Sequence, residues 1–336
     1  MSTNSVQDTL PLSLLIVITS YKATDLTIEC LKSLVPEIIQ IPNARVGICE
    51  NGNEDDTAQK LKQAIEENGW QDWVYIKTVM PNRGFSGGNN AILREVLGSK
   101  NIPDFFLLLN ADTIVRPGAI TKLIKTANDY SDVGIFCPRL EWPSGEAQVS
   151  CFRYMSPVSE LLAAAKTGVL TKLFNKWEVP VPVVNTPLEI EWGSFACALI
   201  RKEVFQDIGV LDEGYYLYFD DVDFCRSANN AGWKVLYWPD AHVVHLRGQS
   251  NPVKERTAQR KQRPGYWYIS RSWYIIKFYG RLGLLAANSL WMLGRMVSFS
   301  REVLGNKRPH LCKMEELDIW KGFCQTVKPR ADIEEN

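Results

Sequence analysis

LSLLIVITSYK, residues 12–22, decides the fold. Its apolar run ends in the β-branched Ile16, Val17, Ile18 and Thr19 and stops abruptly at the polar Ser20-Tyr21-Lys22. Such a run reads as a strand over Leu12 to Thr19 that is buried on both faces, with a loop at its carboxyl end. A helix is expected next, N-capped by Asp25, because Leu26, Cys30, Leu31 and Leu34 recur at helical spacing. The pattern then repeats. Arg45 to Cys49 reads as a second strand, followed by the polar turn ENGNEDD and a helix from about Thr57 to Glu67. Val74 to Val79 is a third strand, the glycine-rich NRGFSGGNN (82–90) a loop leading into the helix AILREVL, and Phe105 to Leu109 a fourth buried strand. Alternation of this kind predicts an α/β protein with an open, mostly parallel sheet flanked by helices.

Open sheets of this class bind ligands at the carboxyl ends of their strands. Polar clusters fall at those ends: Ser20-Tyr21, Glu50-Asn51 and Asn110-Ala111-Asp112. Asp112 is placed to give one oxygen to a hard divalent cation whose other ligands are substrate phosphates, and it also fits a turn residue. Asp220, Asp221 and Asp223 follow the aromatic run Tyr215 to Phe219 at the start of a probable helix. Acids there complement the helix dipole. An aromatic wall would equally lift a carboxylate toward the pKa that a general base needs. His242 and His245 stand three apart, so on a strand they point to opposite faces, and one of them could complete a metal site opened by Asp112. NRGFSGGNN lets backbone approach a ligand, or is a tight loop; it fits neither the dinucleotide nor the Walker pattern.

Composition narrows the classes. With 38 Lys+Arg against 38 Asp+Glu in 336 residues, the net charge is zero, which argues against a nucleic-acid binder. Hydrophobic residues at 46% and charged at 23% exclude intrinsic disorder and a polytopic membrane protein. The aromatic content, with 11 Trp, 12 Tyr and 13 Phe, suits either a large core or a sugar-binding wall. No two of the eight cysteines form a Cys-x-x-Cys pair, and several sit in apolar runs, as expected of thiols in a reducing cytoplasm. The N-terminal residues 1–11 read as a tail without the basic region or apolar core of a signal peptide.

Taken in order, the blocks VITSY, ENGNEDDT, NRGFSGGNNAIL, FFLLLNADTIVRPGAI, WGSFACALIRKEVFQDIGVLDEGYYLYFDDVDFCRSANNAGW and VLYWPDAHVVHLRGQS resemble a family 2 glycosyltransferase with the nucleotide-diphospho-sugar (GT-A) fold, closest to its rhamnosyltransferase-like branch. The resemblance covers residues 12–250 and implies a catalytic domain there. It implies a nucleotide-diphospho-sugar donor, dTDP- or UDP-linked with dTDP-rhamnose the best match, and a glycan or lipid-linked acceptor in bacterial surface polysaccharide synthesis. Thr19, Tyr21, Glu50, Arg83, Asn90 and Asn110 would shape the donor site, although the family usually has Asp at position 50. Asp112 and His245 would hold Mg²⁺ or Mn²⁺. Asp221 would be the general base of an inverting displacement, with Asp220 where the family has Glu. Trp192, Gly193, Ser194 and Asp220 would line the acceptor site. A sugar nucleotidyltransferase is the rival enzyme, but it needs a basic glycine-rich loop near the N-terminus that VITSYKATD does not offer. A non-catalytic nucleotide-sugar-binding module is the other alternative.

From Asn251 the chain changes character into a basic and aromatic helical extension, 251–336. Lys254, Arg256, Arg260, Lys261 and Arg263 precede Tyr266-Trp267-Tyr268 and an apolar stretch, Leu282 to Leu293. About 12 residues fall short of the roughly 20 that span a bilayer. The stretch reads either as an interfacial helix on anionic lipid, giving peripheral contact through 254–300 at the inner face of the membrane, or as a helix packed on the catalytic domain.

Overall fold

Leu14–Ser20 (β1) sits in the middle of the molecule, buried on both sides as its composition requires. The computed structural model describes residues 12–41, 43–52, 56–247, 259–305 and 311–323. Helix Thr24–Gln40 (α1) follows, with Ala23 at the N-cap; Asp25 lies inside the first turn and forms no cap, contrary to expectation. The series continues with Ala44–Asn51 (β2), Thr57–Glu67 (α2), Val74–Val79 (β3), Gly84–Leu97 (α3) and Phe105–Asn110 (β4). β3, β2, β1 and β4 pair side by side and all run parallel. Register sets Thr19 beside both Cys49 and Asn110, so β1, β2 and β4 end level and deliver their polar residues to one edge. Leu14, Ile16 and Ile18 pack into one core, Leu15 and Val17 into the other.

Beyond β4 the sheet becomes mixed. Thr113–Val115 (β5), Ala119–Asp129 (α4), Val133–Glu141 (β6) and Cys151–Phe152 (β7) come next, then the helices Pro157–Ala165 (α5) and Gly168–Leu173 (α6). Leu188–Ile190 (β8), Trp192–Gly193 (β9), Cys197–Arg201 (β10), Lys202–Ile208 (α7), Asp220–Asn230 (α8) and Lys234–His245 (β11) follow. The nine-stranded order is β3-β2-β1-β4-β10-β6-β11-β5, with β8 on β11. β10 is antiparallel to β4 and β6, whereas β11 is parallel to β6 and antiparallel to β5.

The glycine-rich stretch is helical from Gly84, not a loop up to Ala91. Gly84 has φ +68, and a Cβ there would collide with the Tyr216 carbonyl. A Cβ on Gly88 would stand 2.5 Å from Thr19 Cγ2, so these glycines let α3 press against the end of β1. The seven cysteines among the described residues are buried and free, and desolvation pushes the Cys30 and Cys49 thiols up to about 12.

The chain continues with the long helix Gly265–Val303 (α9), broken at Gly280 (φ 70), and the short Glu315–Asp318 (α10). Lys254 and Arg256 of the basic run lie outside the described residues. Arg271 on the first segment of α9 is 1% exposed. Its guanidinium meets Glu160 of α5 at 3.1 and 2.9 Å and donates to Asn288 of the second segment at 2.9 Å. One buried cation therefore ties α5 to both halves of α9. Removing Glu160 leaves that charge without its counter-ion, so Glu160→Ala should destabilise the protein by roughly 3–5 kcal/mol in denaturant titration. A loss under about 1 kcal/mol would mean that water reaches Arg271 and that the pair is not structural.

Candidate active site

One cleft opens at the carboxyl edge of the parallel strands, where β1, β2 and β4 end level. Thr19 and Tyr21 reach it from β1, Asn51 from β2, and Asn110, Ala111 and Asp112 from the β4–β5 turn. The opposite side is built by Ser194, Phe195 and Ala196 before β10, by Asp220 and Asp221 at the start of α8, and by His245 at the end of β11. Tyr216 and Tyr218, with Leu217 between them, form a largely aromatic wall with Tyr266, the second residue of α9. Tyr218 and Phe219 carry positive φ, 68 and 69. That conformation is costly for bulky residues and tips the start of α8 toward the cleft.

Buried polar atoms without a hydrogen-bond partner are rare in native proteins. Four of them face this cleft: Thr19 Oγ1, Asp112 Oδ1, Asp220 Oδ2 and His245 Nδ1. His245 Nε2 lies 3.5 Å from Asp112 Oδ1, close but not hydrogen-bonded. A carboxylate and an imidazole left at that spacing suit a divalent cation that draws its remaining ligands from substrate and water. Among the described residues no three His, Cys, Asp or Glu side chains converge, so the protein offers no complete cage. His242 points the other way, as the strand period requires, and pairs with Glu141 at 3.0 Å.

Asp220 is 5% exposed. Desolvation, then the charge of Asp221, raises its carboxyl well above the ordinary value, against backbone hydrogen bonds at the helix start that favour the anion. The acid pair is therefore poised to hold a proton that an isolated pair would release. Behind it, Asp223 accepts from Tyr215 Oη at 2.7 Å and from Lys277 Nζ of α9 at 2.8 Å; burial raises this carboxyl while Lys277 pulls it down.

The structure thus gathers Thr19, Tyr21, Asn110, Asp112, Ser194, Asp220, Asp221 and His245 around one space. Glu50, Arg83, Asn90, Trp192 and Gly193 stand outside its wall. Glu50 is buried at the end of β2, level with Ser20. Arg83 is exposed, between Asn82 and Gly84, which both face the cleft. Asn90 exchanges hydrogen bonds with Leu211 and donates to Glu213, which makes it a staple between α3 and the loop before α8. Trp192 stacks on Phe152 and donates to the Arg153 carbonyl, and Gly193 packs against Cys137. Sequence reasoning did not assign Asn51, which clamps the start of α3 through Asn82, Arg83 and Gly84. Tyr216 and Tyr218 belong to the aromatic run that the sequence offered as a wall for the acids, whereas nothing local marks Tyr266.

Residues 11–266 match a family model described as "Glycosyltransferase like family 2". The chain is 26% identical over 248 residues to N-acetylglucosaminyl-diphospho-decaprenol L-rhamnosyltransferase of Mycobacterium tuberculosis, covering 67% of this chain and 78% of the relative. It is 23% identical to rhamnosyltransferase WbbL of Escherichia coli K12, covering 61% and 79%. Among solved structures, GalNAc-T7 with UDP, GalNAc and Mn²⁺ superposes with a TM-score of 0.56 at 12% identity, over 93% of this chain and 55% of that one. The likeness shows that the fold is GT-A.

The upward shift of the Asp220 pKa, caused by burial and the Asp221 charge, has a pH-resolved consequence. A carboxyl whose folded pKa exceeds its unfolded value stabilises below the unfolded pKa and loses that contribution as pH rises through the folded one. The neutral Asp220→Asn is free of the loss, so its melting temperature should match the parent near pH 4 and exceed it at pH 8 by roughly 2–4 °C, the effect of about 1 kcal/mol. A difference independent of pH, read by calorimetry, would show that Asp220 ionises normally.

Proposed function

The chain belongs to glycosyltransferase family 2, and on that footing we propose that it is a metal-dependent, inverting rhamnosyltransferase that takes dTDP-rhamnose to a hydroxyl of a lipid-linked or glycan acceptor. Transfer from a nucleotide-sugar is the family's chemistry, which sets aside the nucleotidyltransferase alternative. One observation carries the finer reading: Asp112 with His245, and Asp220 with Asp221, lie on the wall of a single cleft. A diphosphate-binding cation and a proton acceptor are the two functions the displacement needs, and both residue sets are present together.

The roles divide as follows. Asp112 and His245 would hold Mg²⁺ or Mn²⁺, which supplies charge stabilisation for the departing diphosphate. Thr19, Tyr21 and Asn110, at the strand ends, would seat the nucleotide, with Glu50 supporting from behind; the outward Arg83 would reach the donor only from the rim. Ser194 would contact the acceptor. Asp221 takes the proton from the acceptor hydroxyl as its oxygen bonds to the anomeric carbon and the carbon–oxygen bond to the diphosphate breaks on the opposite face. Burial and the charge of Asp221 raise the Asp220 carboxyl, so Asp220 is the member of the pair that favours the proton and Asp221 the one assigned to accept it. Two rhamnosyltransferases among the relatives, one acting by its name on a decaprenol-linked substrate, support the sugar and the acceptor class.

Asp221→Asn is expected to bind donor as the parent does while transfer falls by at least about 10²-fold, the usual contribution of a positioned base. Asp112→Ala should instead weaken donor binding and abolish its dependence on Mn²⁺, read by calorimetric titration of dTDP-, UDP- and GDP-sugars with and without the metal. Undiminished transfer by Asp221→Asn would remove it as the base, and no turnover by the parent with any donor would favour a binding module.

A further inference from the structure

The second segment of α9, residues 281–303, has two apolar faces. Leu284, Ala287, Asn288, Trp291, Gly294 and Ser298 recur every three or four residues and are buried, with Gly294 against the Leu161 carbonyl of α5. Among the described residues nothing covers the opposite face. Every exposed position from Leu282 to Val303 is apolar, alanine or serine; Leu282 is 82%, Met296 63%, Phe299 56% and Val303 69% exposed. Helix α2 shows the ordinary pattern for comparison, since its exposed positions are Gln59, Lys60, Lys62, Gln63, Glu66 and Glu67. An amphipathic helix with one buried stripe should present charge to water on the other side. Here the charged residues lie between the two faces and are engaged: Arg295 with Glu302 and Glu316, and Arg301 with the Lys166 carbonyl.

That last contact places α6 beside the far end of the face, and α6 adds the exposed Val169 (78%) and Leu173 (69%). Around this area stand the exposed cations Arg281, Lys166, Lys172 and Lys176, and residues 166–177 contain no acid. Glu178, exposed directly after this stretch, is the one acid beside these four cations in sequence, so the rim they form is net positive in a chain of net charge zero. We propose that this face, formed by α9 and α6, seats the protein on a membrane surface bearing anionic headgroups. Leucine, methionine and phenylalanine side chains enter the acyl boundary while the lysines and Arg281 meet phosphate. A second copy on the same face would bring like cations together, which disfavours a symmetric dimer there. By length and composition alone α9 is apolar enough to cross a bilayer. The buried stripe against α5 and the Arg271–Glu160–Asn288 cluster hold it to the domain instead, so the helix lies on the membrane.

The test uses the full chain and vesicles of phosphatidylcholine with and without about 30% phosphatidylglycerol, in the range of anionic membrane leaflets. Co-sedimentation with the anionic vesicles is expected, weakening as salt rises. Leu293→Glu/Met296→Glu/Phe299→Glu, at exposed positions, should lower partitioning at least about tenfold while melting temperature and turnover with a water-soluble acceptor stay unchanged. Lys172→Glu/Lys176→Glu, outside α9, should lose only the anionic component, and this variant decides the matter if the triple variant unfolds. Absent or unaltered vesicle binding would overturn the proposal, as would a dimer in light scattering that the triple variant dissolves. Vesicle binding is read without catalysis, so its failure and that of the rhamnosyl-transfer reading are separable.

Discussion

Lys277 holds the site together from outside the parallel sheet. Its ammonium contacts Asp223 at 2.8 Å and Asp212 at 3.1 Å, two carboxylates on either side of the aromatic run. Asp212 also caps Gly214 and accepts from Trp273, while Asp223 holds Tyr215. The loop from 212 to 219 is thereby pinned at both ends to the first segment of α9. This restraint is needed because Tyr218 and Phe219 occupy backbone conformations that unsupported aromatic residues leave. Arg226 adds a second tie between α8 and α9, enclosed by the rings of Tyr154, Tyr274, Phe278 and Tyr279 at 4.3–5.7 Å. The acids facing the cleft are consequently positioned by a helix that begins 45 residues after Asp220.

The parallel half of the sheet was legible chiefly because β1, β2 and β4 are buried along nearly their whole length. A continuous run such as FFLLL has no alternative place in a soluble α/β domain, and Val74 to Val79 matches its strand residue for residue. The glycine-rich stretch misled for a physical reason. Glycine in a sequence signals either an unusual backbone angle or the need for close approach, and the two look identical until the partner is known. Gly88 serves close packing on Thr19 inside a regular helix. Glu160 and Arg271 were invisible for a related reason. They are separated by 111 residues, and neither has a local pattern that reports burial.

The same distinction runs through the site. Asp112, Asp220, Asp221 and His245 were readable because each follows or starts an element whose end is fixed by a strong apolar signal. Asn90 sits in an equally suggestive block, yet its amide is consumed by Leu211 and Glu213. The four acceptors and donors left unsatisfied at the cleft are different in kind. Leaving a buried polar atom unpaired costs about 1–3 kcal/mol, and a fold that leaves four in one place carries a penalty that a bound ligand relieves.

Helix α9 links this site to the surface chemistry. Its first segment puts Tyr266 into the cleft wall and Lys277 behind the acids; its second carries the apolar face. The break at Gly280 separates the two segments in direction, but Arg271 on one and Asn288 on the other are joined by a buried hydrogen bond, so they cannot swing independently without exposing a charge pair. A helix held this way transmits position. The cleft wall at Tyr266 and the apolar face of the second segment are therefore held at a fixed distance and angle from each other, because both are carried by one braced helix.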